Sequence, residues 1–118
     1  MFIDEIVGQT ITEVALNGYF LLLHTQLGVW RLEARGDCCS HSYWYRDSFE
    51  GLDNLFESEV IRAEDMKITG GADLENGYCL EIYAIRLHTA KGTATLEMRN
   101  ESNGYYGGHY EAHFKARP

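Results

Sequence analysis

Apolar side chains recur at every second residue along most of this chain, and this alternation limits the possible folds more than any other feature of the sequence. Val14 and Leu16 alternate with Glu13, as they would in a strand that buries one face. The dipeptide Asn17-Gly18 follows, and this is the strongest short signal for a hairpin turn. The sequence therefore predicts a β-hairpin near the start of the chain.

The same period continues to the other end of the chain and predicts about seven strands. Residues 19–25 are nearly continuously apolar, which suits a central strand. Trp30 and Leu32 then alternate with Arg31. The predicted strands lie at residues 10–16, 19–25, 29–34, 60–68, 78–89, 93–99 and 109–115. Such a sheet buries one face and could curl into a partly open barrel.

Residues 48–57 follow a helical period instead. Asp47 and Glu50 have the spacing of a capping box, in which each side chain satisfies a free backbone amide. The apolar stripe consists of Phe49, Leu52, Leu55 and Phe56. Gly51 costs a helix about 1 kcal/mol relative to alanine, so packing on the sheet must stabilise it. We expect an α+β fold: a mostly antiparallel sheet with one main helix at 48–57, in a single domain over residues 1–118.

Composition and cysteine content indicate a folded cytoplasmic protein. Apolar residues make up 45% and charged residues 24% of the 118, which is ordinary for a globular domain and unlike a disordered one. The longest apolar stretch, at 19–23, is too short to cross a bilayer, and the first residues lack the pattern of a secretory signal. Three cysteines are not the framework of a disulfide-stapled secreted domain.

The charge of the chain excludes some partners. Eighteen acidic against ten basic residues give a net charge of −8. A field of this sign repels nucleic-acid backbones and anionic membranes, so we expect no direct nucleic-acid or membrane binding. The acidic residues could instead meet a basic protein surface, or they could serve solubility alone.

The segment Cys38-Cys39-Ser40-His41 raises the possibility of thiol or metal chemistry. Two thiols beside an imidazole could supply a nucleophile or metal ligands. Adjacent residues of an extended chain point to opposite faces, however, whereas zinc sites favour two cysteines separated by two residues. The alternative is that both cysteines are small buried side chains at a strand end. We expect no cofactor and no metal.

Two aromatic clusters are candidate binding loops. The first precedes the predicted helix, and the second lies in a glycine-rich stretch at 102–108, where the backbone could approach a ligand closely. If both loops meet at one end of the sheet, they form a cleft suited to a planar ligand or a partner's side chain. Alternatively, Trp44 and one tyrosine complete the core. The candidate residues are Trp44, Tyr45, Arg46, Asn103, Tyr105 and Tyr106.

Two signatures carry a resemblance to a known family. The first is Gly-Asp-Cys-Cys-Ser at 36–40 followed by the aromatic residues 43–45, and the second is the glycine- and tyrosine-rich run at 99–108. Together they resemble a family of small proteins found in bacteriophages, prophages and bacteria and classed as a domain of unknown function. The resemblance covers most of the chain. It implies neither a reaction nor a catalytic residue.

The resemblance implies a class of role, because small accessory proteins of phage genomes often bind and block a host component. Our leading hypothesis is a non-enzymatic binding protein, a counter-defence (anti-CRISPR-like) inhibitor that blocks a host protein complex with an acidic surface in the cytoplasm of a bacterial host. The first alternative is a small-ligand or nucleotide-signal sponge that uses the aromatic loops, with Arg46 or Arg99 for phosphate. The second is a thiol- or metal-dependent enzyme at Cys38, Cys39 and His41.

A homodimer is compatible with the pattern, since an edge strand such as 93–99 could pair with a second copy. No nucleophile elbow, phosphate loop or dinucleotide fingerprint occurs in the sequence. The motifs therefore favour binding over catalysis.

Overall fold

The alternating sequence folds into two antiparallel sheets that pack face to face. The computed structural model describes residues 3–36, 40–73, 79–102 and 107–118. Within these residues the strands are β1 Thr10–Asn17, β2 Phe20–Thr25, β3 Gly28–Gly36, β4 His41–Trp44, β5 Ser58–Glu59, β6 Arg62–Asp73, β7 Cys79–Thr89, β8 Gly92–Ser102 and β9 Gly108–Ala116. The first sheet has the order β5-β1-β2-β3-β9, and the second has the order β4-β8-β7-β6.

The core lies between the inner faces of the two sheets. Along β3, Trp30, Leu32 and Ala34 are buried while Arg31 is exposed, as the two-residue period predicts. Side chains from both sheets meet in one apolar cluster, which includes Leu21, Leu23, Leu32, Ile85, Leu87, Leu96 and Met98. The predicted mostly antiparallel sheet structure is therefore confirmed.

The structure has more strands than the seven or so expected, and its sheets do not close into the barrel that the sequence allowed. The described residues contain nine strands, and the two sheets remain open, with edge strands β5 and β9 in one and β4 and β6 in the other. β4 has four residues and β5 has two. Strands this short offer too few residues for an alternation to be recognised.

The prediction of a main helix at 48–57 is wrong. The chain makes two separate 3-10 turns there, Arg46–Ser48 and Leu52–Asn54, and a third 3-10 turn at Asp4–Ile6 precedes β1. The described residues contain no α-helix, and none of their helical turns is long and apolar enough to cross a membrane. The α part of the expected α+β fold is therefore absent from this segment.

A contact with the second sheet explains why this segment is not helical. Glu50 and Thr95 exchange two backbone hydrogen bonds, at 3.0 and 2.8 Å, so the amide of Glu50 is bound to β8. Gly51 follows with a left-handed φ of 70°, which a helix cannot contain. Three of the four apolar residues that suggested a helical stripe still face the core: Leu55 is fully buried within it, and Phe49 and Leu52 pack against it. The fourth, Phe56, is exposed. Pairing with the sheet has thus replaced the helical hydrogen bonds.

The strand expected at 93–99 is present, but it is not an edge strand. This stretch lies within β8, which pairs with β4 on one side and with β7 on the other. Its backbone groups are therefore occupied, and a second copy cannot pair there. The homodimer itself stays a prediction, without this strand as its interface.

β9 links the two sheets at one corner. At Gly108 an added Cβ would lie 2.5 Å from Ser42 Oγ and 2.9 Å from Asn100 Cβ, so β9 of the first sheet lies directly against β4 and β8 of the second. Asn100 Nδ2 donates a hydrogen bond to Ser42 Oγ at 2.8 Å beneath this crossing. The glycine permits a backbone approach that any side chain would prevent.

The substitution Gly51→Ala distinguishes the observed turn from a helix, because it should lower the free energy of unfolding in a turn and raise it in a helix. In a helix interior, alanine would stabilise the protein by about 1 kcal/mol. In the structure φ is 70° and the new Cβ would lie 2.2 Å from Thr93 O, so we expect a loss of about 2–4 kcal/mol in the free energy of unfolding. Urea denaturation measures it.

Gly18→Ala is the matched control for that prediction. Its φ is 58° and no atom lies within 4 Å of the added Cβ, so only backbone strain of about 1–2 kcal/mol should remain. A Gly51→Ala protein as stable as the parent, or more stable, would contradict the observed turn.

Candidate functional site

Several of the predicted site residues fall outside the part of the chain that the structure describes. These are Cys38, Cys39, Asn103, Tyr105 and Tyr106. The cleft between two aromatic loops and the thiol or metal site therefore stay predictions. Among the described residues, no group of three or more histidine, cysteine or acidic side chains is arranged to hold a metal ion.

Trp44 lies in the core of the sandwich. Its side chain is 4% exposed, and its indole Nε1 donates a hydrogen bond to the backbone oxygen of Leu32 at 3.0 Å. The ring also packs against Tyr110 of β9, with 6.0 Å between ring centroids. Trp44 therefore completes the core, and it also lines the cavity described below.

Tyr45, directly after β4, belongs to a row of aromatic side chains on and beside this strand, which we call the tyrosine row. It consists of Tyr19, His41, Tyr43 and Tyr45. His41 contacts Tyr43 with 5.1 Å between ring centroids, and Tyr43 contacts Tyr45 at 6.4 Å. Tyr19 packs edge-on against His41 at 5.7 Å. Because β4 is extended, alternate residues place these rings on one side of the strand.

Arg99 covers one end of the tyrosine row. Its guanidinium lies 3.7 Å from the ring centroid of Tyr45, and its Nε is 2.7 Å from a carboxylate oxygen of Glu97. The pKa of Tyr43, a neighbour of Arg99, is raised mainly by burial and to a smaller extent by the negative charge of Glu101. Since stacking and an ion pair already engage this guanidinium, it is less suited to the phosphate role considered above. Arg46 is exposed at the start of the next turn.

The segment at residues 47–61, which we call the acidic segment, follows immediately. It contains five acidic residues and no lysine or arginine. All five acidic side chains are exposed, and none forms an ion pair with a described residue. They are Asp47, Glu50, Asp53, Glu57 and Glu59.

Hydrogen bonds to the turn between β7 and β8 hold the acidic segment in place. Thr89 Oγ1 donates to the backbone oxygen of Asn54 at 2.7 Å. Asn54 Nδ2 in turn donates to the backbone oxygen of Thr93 at 3.1 Å. Lys91 Nζ donates to the backbone oxygen of Phe56 at 2.7 Å. The segment thus has little regular secondary structure but a fixed conformation.

Two large apolar side chains stand exposed within the acidic segment. Phe56 is 56% exposed and Ile61 is 58% exposed. Beside Ile61 runs a groove of about 370 Å³ that Glu57, Glu59 and Lys91 also line. Apolar residues surrounded by a charged rim are the usual composition of a protein-binding surface.

A separate cavity of about 300 Å³ opens between β9 and strands β6 and β7. Its walls are mainly apolar and aromatic, and ionisable side chains of β6 line it as well. The residues that matter for its chemistry are Trp44, Asp65, Lys67, Tyr83, Met98 and Tyr110.

The polar groups of the cavity form two separate sets. In the first, the Tyr110 hydroxyl donates to Asp65 Oδ1 at 2.6 Å. Burial raises the pKa of the Asp65 carboxyl and outweighs the opposing effect of this hydrogen bond. In the second set, Glu81 accepts a hydrogen bond from the Tyr83 hydroxyl and pairs with Lys67 Nζ at 3.1 Å. Lys67 and Tyr83 therefore share one carboxylate partner.

The sequence reasoning did not identify this cavity. The signal was present in β6, because Asp65 and Lys67 occupy the side of the strand that pairs across from Ile85 and Tyr83. In a two-residue period these positions share a face with Ala63, which packs against the core, yet both side chains are exposed and line the cavity. Charged residues at inward positions of a predicted strand could have indicated a polar opening into the core.

Comparison with known proteins identifies a family and no characterised relative. The family model described as Domain of unknown function (DUF7448) matches residues 4–112. No curated protein and no solved structure matches the chain. The match supports the resemblance to a domain-of-unknown-function family, while phage origin stays a prediction.

When the tyrosines of the protein are titrated, Tyr83→Phe should remove one ionisation, which occurs near pH 12 in the parent protein. Burial and the hydrogen bond to Glu81 raise the pKa of Tyr83 from 10.0 to about 12. Below pH 10 the neutral hydroxyl of Tyr83 therefore stabilises the folded state. This stabilisation is lost as the pH rises from 10 towards 12. The ultraviolet absorbance of tyrosinate measures it. A difference between the two proteins centred at pH 10 would contradict the Glu81 contact.

Proposed function

We propose that this chain, which belongs to the DUF7448 family, is a non-enzymatic protein-binding domain that docks its acidic segment on a basic surface of a partner. The observation that carries the proposal is the local excess of exposed negative charge around two exposed apolar side chains. The segment accounts for five of the net eight negative charges of the chain. Its shape is fixed before any partner binds.

The distribution of ion pairs supports this assignment. Elsewhere in the described residues carboxylates without an ion pair, such as Glu13 and Asp65, are interspersed with five that have a cationic partner within the chain: Glu33, Glu64, Glu81, Glu97 and Glu111. The five carboxylates of the acidic segment have none there. Unpaired surface charges of one sign attract a partner of the opposite sign and speed its association.

Charge alone supplies orientation and rate more than affinity, which requires buried apolar contacts. Phe56 and Ile61 provide them, because each exposes more than half of its side chain. Burying a large apolar side chain completely contributes about 1.5–3 kcal/mol. The hydrogen bonds from Thr89 and Lys91 already order the segment, which lowers the entropy lost on binding.

We propose that the partner belongs to a bacterial host and that binding blocks it, as a counter-defence inhibitor would. Host complexes that bind nucleic acid present basic grooves to the phosphate backbone. An acidic protein surface with an apolar centre can occupy such a groove and exclude the nucleic acid by charge and by volume. This role would place the protein in the cytoplasm of the host.

Asp53→Lys tests the electrostatic part of the proposal. The immobilised parent protein and the variant are each incubated with bacterial lysate over a series of salt concentrations, and the captured proteins are quantified. We expect the variant to retain roughly fivefold less of the specific partner at low salt, because reversing one charge replaces attraction with repulsion. We also expect the difference to shrink as salt rises, because salt screens exposed charges.

Glu13→Lys is the matched control. Glu13 is an exposed acidic residue of β1 outside the acidic segment, and reversing it changes the net charge by the same amount. Equal losses in both variants would mean that total charge rather than the acidic segment governs binding. Salt-insensitive capture would also contradict the proposal.

A further inference from the structure

We infer a second binding site, independent of the acidic segment: the cavity between β9 and strands β6 and β7 takes a small aromatic amine, with its ring in the cavity and its ammonium group on the carboxylate of Asp65. The cavity is separate from the acidic segment, and none of the described residues of that segment lines it. A failure of one site would therefore leave the other unaffected.

The walls of the cavity favour an aromatic body. Trp44, Tyr83 and Tyr110 supply three aromatic side chains, and Met98 adds an adaptable apolar one. Aromatic rings and a methionine sulfur both make favourable contacts with a ligand ring. The volume of about 300 Å³ lies at the lower end of the range for small-molecule sites, which suits a ligand with one or two fused rings.

The carboxylate of Asp65 is the hydrogen-bond acceptor that we assign to the ligand, because Glu81 already binds Lys67 and Tyr83. Glu81 holds both the ammonium of Lys67 and the hydroxyl of Tyr83, so the charge of Lys67 is already offset by a carboxylate within the chain. Tyr110 donates a hydrogen bond to Asp65 at Oδ1, and this is the one side-chain hydrogen bond that the described residues give to this carboxylate. No lysine, arginine or histidine of the described residues forms an ion pair with Asp65. Burial raises the pKa of this carboxyl, and the charge of the amino terminus offsets this effect only in part. A carboxylate can accept several hydrogen bonds, so its remaining capacity fits a cationic donor.

Charge separates this ligand class from the nucleotides considered earlier. A phosphate entering the cavity would approach the Asp65 carboxylate in the field of a chain of net charge −8, and both repel it. The attraction of Lys67 on the cavity wall is offset by its ion pair with Glu81. An ammonium group is attracted by both, and the faces of the tyrosine rings stabilise a nearby cation further. The cavity therefore selects against anions of the same size.

Three probes of nearly equal shape test the inference on the parent protein. Tryptamine carries an ammonium group, tryptophol a neutral hydroxyl and indole-3-propionate a carboxylate. Binding is followed by the NMR shifts of the Met98 methyl group and the Trp44 indole N–H, both of which belong to the cavity wall. We expect tryptamine to bind with a Kd on the order of 1 mM, as befits a fragment of this size, tryptophol more weakly, and indole-3-propionate not detectably.

A pair of variants locates the charge effect. Asp65→Asn keeps an acceptor for the Tyr110 hydroxyl and removes the charge, and we expect it to weaken tryptamine binding about tenfold while leaving tryptophol unchanged. Glu64→Gln removes a charge from the neighbouring position on the other side of β6, where Glu64 pairs with His88, and should leave both probes unchanged.

Equal affinities of the three probes, or no shift at Met98 and Trp44, would overturn the inference on the parent protein alone. An Asp65→Asn protein that folds and binds tryptamine as tightly as the parent would overturn the role of the carboxylate. Should this variant unfold, the three-probe comparison still decides the question.

Discussion

The close contact of Gly108 with Ser42 and Asn100 is the constraint on which the rest of the sandwich depends. It brings the edge strand of one sheet against the edge of the other. Two residues further along each strand, on the same faces, Trp44 and Tyr110 pack against each other. The Tyr110 hydroxyl then reaches Asp65 on β6. A single crossing thus fixes the buried tryptophan and the cavity.

The acidic segment is organised by the backbone pairing of Glu50 with Thr95. This pairing attaches an otherwise irregular segment to a buried strand and leaves its acidic side chains in solvent. Leu55 anchors the segment in the core while Phe56, the next residue, points outward. Binding surfaces commonly lie on such irregular segments, because a regular framework can hold them without using their side chains.

The strands could be predicted from the sequence because alternation and turn dipeptides are local signals. Asn17-Gly18 and the two-residue period of β3 were sufficient for the first three strands. The helix at 48–57 could not be excluded in this way, because the contact that prevents it joins Glu50 to Thr95 far along the chain. The cavity was missed for the same reason, since Asp65 and Tyr110 meet only in the folded sandwich. The burial of Trp44 agrees with the alternative interpretation of this residue as part of the core.

A site-specific photocrosslink tests most directly whether the acidic segment is the recognition surface. A photoreactive benzoylphenylalanine replaces Phe56 in one protein and Phe114 of β9 in another; the two phenylalanines are 56% and 39% exposed. Both proteins are irradiated inside bacterial cells, and the products are identified by mass spectrometry. The account predicts a defined crosslinked protein from position 56 and none from position 114. A partner crosslinked from position 114 alone would contradict it.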